Sequence, residues 1–100
     1  MLWLDTPRYR KVGPQLRLTS HLISNTSLEE LHAFAAQLGL PPRAFHDKPG
    51  APHYDLLDGR VPQAVRAGAV AVSTRVLLGI LRRHPLAKTD PESPDAPAPC

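Results

Sequence analysis

One stretch of this sequence can only be a helix of fixed length, and it divides everything around it. Ser27 and Glu30 stand three residues apart, as do Thr26 and Glu29. That is the spacing of a capping box, in which a hydroxyl and a carboxylate satisfy the free N–H groups of a first turn. Leu28, Leu31, Phe34, Ala35 and Leu38 follow on one stripe at helical spacing, with Glu29, Glu30, Ala33 and Gln37 opposite. Gly39 is the expected residue just past the helix, and Pro41-Pro42 forbid continuation. His32 falls at the margin of the apolar stripe.

On either side the pattern changes period. Met1 to Leu4 is a short apolar run ended by Asp5, which predicts a buried strand with a carboxylate at its end. Arg8-Tyr9-Arg10-Lys11 reads as a solvated basic loop before Gly13-Pro14. Leu16 to Ser24 predicts a second strand, polar at its start and apolar at its finish, with His21 turned away from the leucine face. Beyond the helix, Pro42 to Phe45 offers a short helical turn with Phe45 as an anchor, and His46 to Gly50 reads as an exposed turn tip.

His53-Tyr54-Asp55 predicts a short strand in which His53 and Asp55 share a face and Tyr54 turns into the packing. Asp58 is the expected N-cap of a second helix, with Pro62 in its first turn, Ala64, Val65 and Ala67 inward, and Gly68 at its end. Ala69 to Val72 reads as a buried strand. Ser73 or Thr74 then caps a last helix on a stripe of Val76, Leu77, Ile80 and Leu81. Arg82-Arg83-His84 suit the negative end of that helix, so they need no binding role. The order β-β-α-β-α-β-α predicts a small α/β domain: a short mixed or parallel sheet with helices packed on it.

Length and charge bound the rest. One hundred residues make one domain, expected over residues 1–84, whose small core leaves a homodimer open. Five of the twelve prolines lie between Pro85 and Cys100, where no apolar period is seen, so this stretch is expected to be a disordered tail. Residues 1–84 carry eleven cations against six carboxylates, a mildly basic balance suited to a phosphate-containing ligand or nucleic acid. A single cysteine excludes an internal disulfide and cysteine-based zinc motifs. No stretch has the roughly twenty apolar residues of a membrane span, and the start of the chain lacks a basic leader, so a cytoplasmic location is expected.

The residues able to do chemistry are few. Asp5 ends a strand, His21 lies late in the next, His32 is early in the helix, and His53 and Asp55 share one strand face. Histidines with one or two carboxylates suit zinc, manganese or ferrous iron. His53 and Asp55 are the candidate catalytic pair, and Arg8, Arg10 and Lys11 the candidate phosphate contacts. Each also has a bland reading: a turn-capping Asp5, packed histidines, a solvated basic loop.

Leu2-x-Leu4-Asp5, Ser20-His21-Leu22, Leu31 to Ala35, Leu38-Gly39-Leu40, Phe45, His53-Tyr54-Asp55 and Ala67 to Val70 recur in one order and spacing. Through them the chain resembles a family of short bacterial proteins known as domain of unknown function 4031, over residues 1–84. The resemblance implies recurring polar positions at Asp5, His21, His32, His53 and Asp55. It departs at Asn25, where relatives more often carry aspartate. The family implies no activity.

Three functions follow. The first is a binding or regulatory module for a phosphate-containing ligand or nucleic acid, built on a fixed His/Asp site. The second is a metal-dependent hydrolase of a phosphoester or nucleotide, using zinc or manganese on Asp5, His21, His53 and Asp55. The third is a structural polar network with no site.

Overall fold

A computed structural model describes residues 1–84. The expected tail, 85–100, and Cys100 lie outside the described residues. Strands β1 (Leu2–Asp5), β2 (Arg8–Val12), β3 (Gln15–Ser24), β4 (Phe45–His46), β5 (His53–Leu57) and β6 (Val70–Val72) form one sheet. Its order is β4-β5-β3-β1-β6, with β2 beside the first half of β3. Only β1 and β6 run parallel; the other pairs are antiparallel, so the sheet is mixed. Helices α1 (Leu28–Gln37), α2 (Arg60–Arg66) and α3 (Thr74–Arg83) complete an α/β domain.

Strand alternation sorts the residues into two cores. Leu4, Leu22, Tyr54 and Leu56 point to one face and meet Leu31, Phe34, Ala35 and Leu38 of α1 and Val61 and Ala64 of α2. Ile23, with Trp3 and Val72 beside it, points to the other face and meets Leu77, Ile80 and Leu81 of α3. Helix α3 covers only the β1/β6 side of this second face. The side formed by β2, β5 and the first half of β3 stays open, and the candidate site lies at the border.

Helix α1 begins as its caps require: the Ser27 hydroxyl accepts from the Glu30 N–H at 3.0 Å, and Gly39 follows with φ 81°. Ser73 caps α3 by accepting from the Val76 N–H. Other expectations are corrected. Arg8 to Lys11 is a strand, not a loop. It pairs with β3 through a two-residue turn whose Gly13 takes φ 62°, a conformation that glycine adopts without steric cost. Its every residue is exposed, so no apolar period marked it.

Asp58 does not cap α2. It adopts φ 50° and turns its carboxylate to the Arg17 guanidinium and the Leu18 N–H, leaving Gly59 at the N-cap position. Val65 and Ala67 are exposed, because α2 buries only Val61 and Ala64. Val76 likewise faces solvent beside the buried stripe of α3. Strand β6 is a largely exposed sheet edge rather than a buried strand, with Ala69 alone buried just before it. Among the described residues no helix is long and apolar enough to cross a membrane.

Candidate functional site

The site is built by register. His21 of β3 pairs directly with Asp55 of β5, and His46 of β4 pairs with His53 of β5. Directly opposed residues share a face, so four polar side chains from three strands stand side by side. Asp5 joins them through an irregularity. Leu4 pairs with Leu22 and Arg8 with Thr19, so three residues (Asp5, Thr6, Pro7) oppose two (Ser20, His21). This β-bulge frees the Asp5 carboxylate to fill the gap in the ladder. It accepts from the His21 N–H at 2.8 Å and from the Ser20 hydroxyl at 2.9 Å.

The same carboxylate holds the His21 ring, with Nδ1 at 2.8 Å. Burial acts to raise the Asp5 carboxyl. The bonds from His21 and Ser20 outweigh it, so the carboxyl titrates below its ordinary value. An ionised Asp5 accepts, so His21 Nδ1 donates. The Asp5 bond correspondingly raises the His21 imidazole above its ordinary value, against burial and the nearby Arg10.

His53 is held in the same sense by a different group. Its Nδ1 lies 2.8 Å from the Ala51 carbonyl, which can only accept. Both rings are therefore fixed with Nδ1–H turned to an anchor and Nε2 turned to Asp55. The Nε2 atoms of His53 and His21 lie 3.4 Å and 3.8 Å from the same oxygen, Asp55 Oδ1. With neutral rings, three lone-pair donors meet at one point. Such a convergence is repulsive until a cation occupies it.

The separations match a metal site. Two ligand atoms each about 2.0–2.1 Å from one tetrahedral ion lie roughly 3.4 Å apart. His21, His53 and Asp55 offer ligand atoms all within 4.8 Å of one another, each residue partly buried. Anchoring of the far ring nitrogen by a carboxylate or carbonyl is the usual support of metal-binding histidines. Three such ligands on an open sheet face would leave room for water or substrate.

His46 belongs to this cluster, although its position reads as an exposed turn from sequence. Its Nε2 lies 2.9 Å from Asp55 Oδ2, and its ring stacks on His53 at 5.1 Å between centroids. The two-residue ladder between β4 and β5 puts it there, and no local pattern announces so short a pairing.

His32 is not part of the site. Its Nδ1 meets the Tyr54 hydroxyl at 2.7 Å on the opposite face of the sheet, with the Phe45 ring at 4.6 Å. The bland reading holds for it. The basic segment divides by strand alternation. Arg8 and Arg10 share the site face with Thr19 and Arg17, while Lys11 pairs with Leu16 on the alternate one. Arg8 donates to the Thr74 hydroxyl at 3.2 Å. A cavity of about 250 Å³ runs from Arg10 and Lys11 past Thr19 and His21 to Asp55. One of about 180 Å³ on the other side reaches from Asp5, His21 and His53 to Lys48 and α3.

The family model described as protein of unknown function (DUF4031) matches residues 2–84, and the chain belongs to that family. Neither the comparison with curated proteins nor that with solved structures found a match.

Proposed function

We propose that this protein is a hydrolase of phosphate esters that works with a divalent metal, zinc or manganese, held by His21, His53 and Asp55. One observation carries the reading: two histidines, each locked through Nδ1, aim both Nε2 atoms at one oxygen of Asp55. A purely structural network pairs donors with acceptors, as His32 and Tyr54 do. With both rings neutral, this cluster sets acceptor against acceptor.

A bound divalent ion would acidify a coordinated water and polarise a phosphoryl oxygen. The protein's own residues do the rest. Asp5 and the Ala51 carbonyl fix both rings in the ligating orientation. Arg10, along the cavity that ends at His21 and Asp55, supplies positive charge for the phosphate. His46, on the outer oxygen of Asp55, is placed to exchange a proton with a reacting group beside the carboxylate.

Isothermal titration with zinc and manganese tests the centre, and hydrolysis of bis-p-nitrophenyl phosphate in the loaded protein tests the activity. One ion per chain should bind well below millimolar, and His53→Ala should abolish both binding and turnover. Wild-type affinity no tighter than about millimolar would sink the proposal.

A further inference from the structure

A cleft lies beside this cluster, and the proposed metal centre does not account for it. It encloses about 770 Å³, within the range of small-molecule sites, roughly 300–1,000 Å³. One end is closed by His46 and Asp55. From there it passes Leu57 on β5 and Ala44 in the turn Pro42–Ala44, and reaches Leu40 and Pro41 behind α1. Three arginines, Arg17, Arg43 and Arg60, stand around it.

The arginines have little structural reason to gather there. Arg17 is matched by Asp58, which accepts a further bond from the Leu18 N–H. Asp58 stands on the cavity wall at φ 50°, a left-handed conformation that aspartate adopts more readily than most side chains. Arg60 spends one nitrogen on Gln63 and lies over Gly39, where a Cβ would come within 3.6 Å of the guanidinium. Arg43 is exposed. The other carboxylate on the wall, Asp55, is already shared among three histidines. With Arg17 matched by Asp58, the guanidinium groups of Arg43 and Arg60 remain beside an apolar floor.

We infer that this cleft binds a nucleotide. Its ring lies against the apolar wall of Leu40, Pro41 and Leu57, and its phosphates run along Arg43 and Arg60 toward the end closed by His46 and Asp55. Guanidinium groups suit both parts, since they pair with phosphate through two parallel bonds and stack on planar rings. The inference deepens the proposed hydrolase by naming its substrate class, and rests on that reading only for what happens to the phosphate. A lone phosphate leaves most of the volume empty. A nucleoside without phosphate leaves the arginines unanswered.

Titration of the full chain, stripped of metal with a chelator, tests this with adenosine diphosphate, adenosine and inorganic phosphate as probes. Nuclear magnetic resonance locates the contact. The diphosphate should bind at least about tenfold more tightly than either fragment and shift the amide signals of Arg43, Ala44 and Leu57. Arg43→Gln with Arg60→Gln should weaken it by at least about tenfold, with circular dichroism unchanged since both side chains lie at the surface. No binding by about millimolar, shifts elsewhere on the surface, or equal affinity in the folded double variant would each overturn the inference. Failure of metal binding with the cleft still occupied would remove the hydrolase and leave the nucleotide site standing.

Discussion

Strand β5 carries a histidine cluster on each of its faces, and the two are built by opposite rules. On the helix-covered face, Tyr54 meets His32 through one hydrogen bond, and Phe45 packs against both rings at 4.6 Å and 5.2 Å. Donor answers acceptor and the rings fill space. On the other face, His53 and His21 each turn Nδ1 to an anchor and Nε2 to one oxygen of Asp55. Alternating residues of one five-residue strand thus separate a closed network from an open one. Histidine alone says little; which nitrogen is already committed says what remains to be done.

The sharpest way to break this comparison is to delete one histidine from each face. His53→Ala should weaken zinc or manganese binding by at least about a hundredfold, whereas His32→Ala should change it by less than about twofold. Calorimetric titration of both variants decides it, and equal losses would mean the faces are not distinct. Next in size is Asp5→Ala. It leaves the His21 ring and the His21 N–H without their shared acceptor, at a site that is 4% exposed, while the Ser20 hydroxyl keeps the backbone carbonyl of residue 5 at 2.7 Å. Denaturant unfolding should show a loss of about 2–3 kcal/mol, and metal affinity should fall about 10–100-fold.

A smaller effect is expected of Tyr54→Phe, which removes only the hydroxyl facing His32. The cost should be about 1 kcal/mol in chemical denaturation, with metal affinity unchanged. The smallest effect concerns neither cluster and serves as a control. Glu30 is held below the ordinary carboxylate value, first by the Met1 ammonium at 2.8 Å and then by the Ser24 hydroxyl, against a weaker effect of burial. A lowered folded value means that its contribution is present above the unfolded value and is lost as pH falls through the folded one. The acid limb of stability against pH should therefore be shallower in Glu30→Gln, and an unaltered limb would show that the pair contributes nothing.

How much of this could be read from the chain depended on how local the cause was. Helix α1 was legible to its caps, because Ser27, Glu30 and Gly39 act within a few residues of where they stand. The shared face of His53 and Asp55 and the inward turn of Tyr54 were legible for the same reason, being strand alternation alone. Strand β2 was not, since all five of its residues are exposed and its partner β3 supplies the pattern. Asp58 looked like a cap until a guanidinium forty-one residues away in sequence claimed it. His46, and the hold of strand-end Asp5 on His21, were beyond local reasoning in a stronger sense. One depends on a two-residue ladder and the other on a bulge, and neither leaves a periodic trace.

That bulge has a reach beyond the histidine it orients. In a regular ladder continuing from Leu4 and Leu22, Arg8 would fall opposite Leu18, and Pro7 and Tyr9 would take the places opposite Thr19 and Arg17 that Arg8 and Arg10 now hold. The extra residue shifts the hairpin by one step, and the Asp5 carboxylate is what seats it. A single side chain thereby indexes the cationic arm and aims the imidazole, so that a slip of the arm would cost the site its arginines and its ligand geometry in one movement.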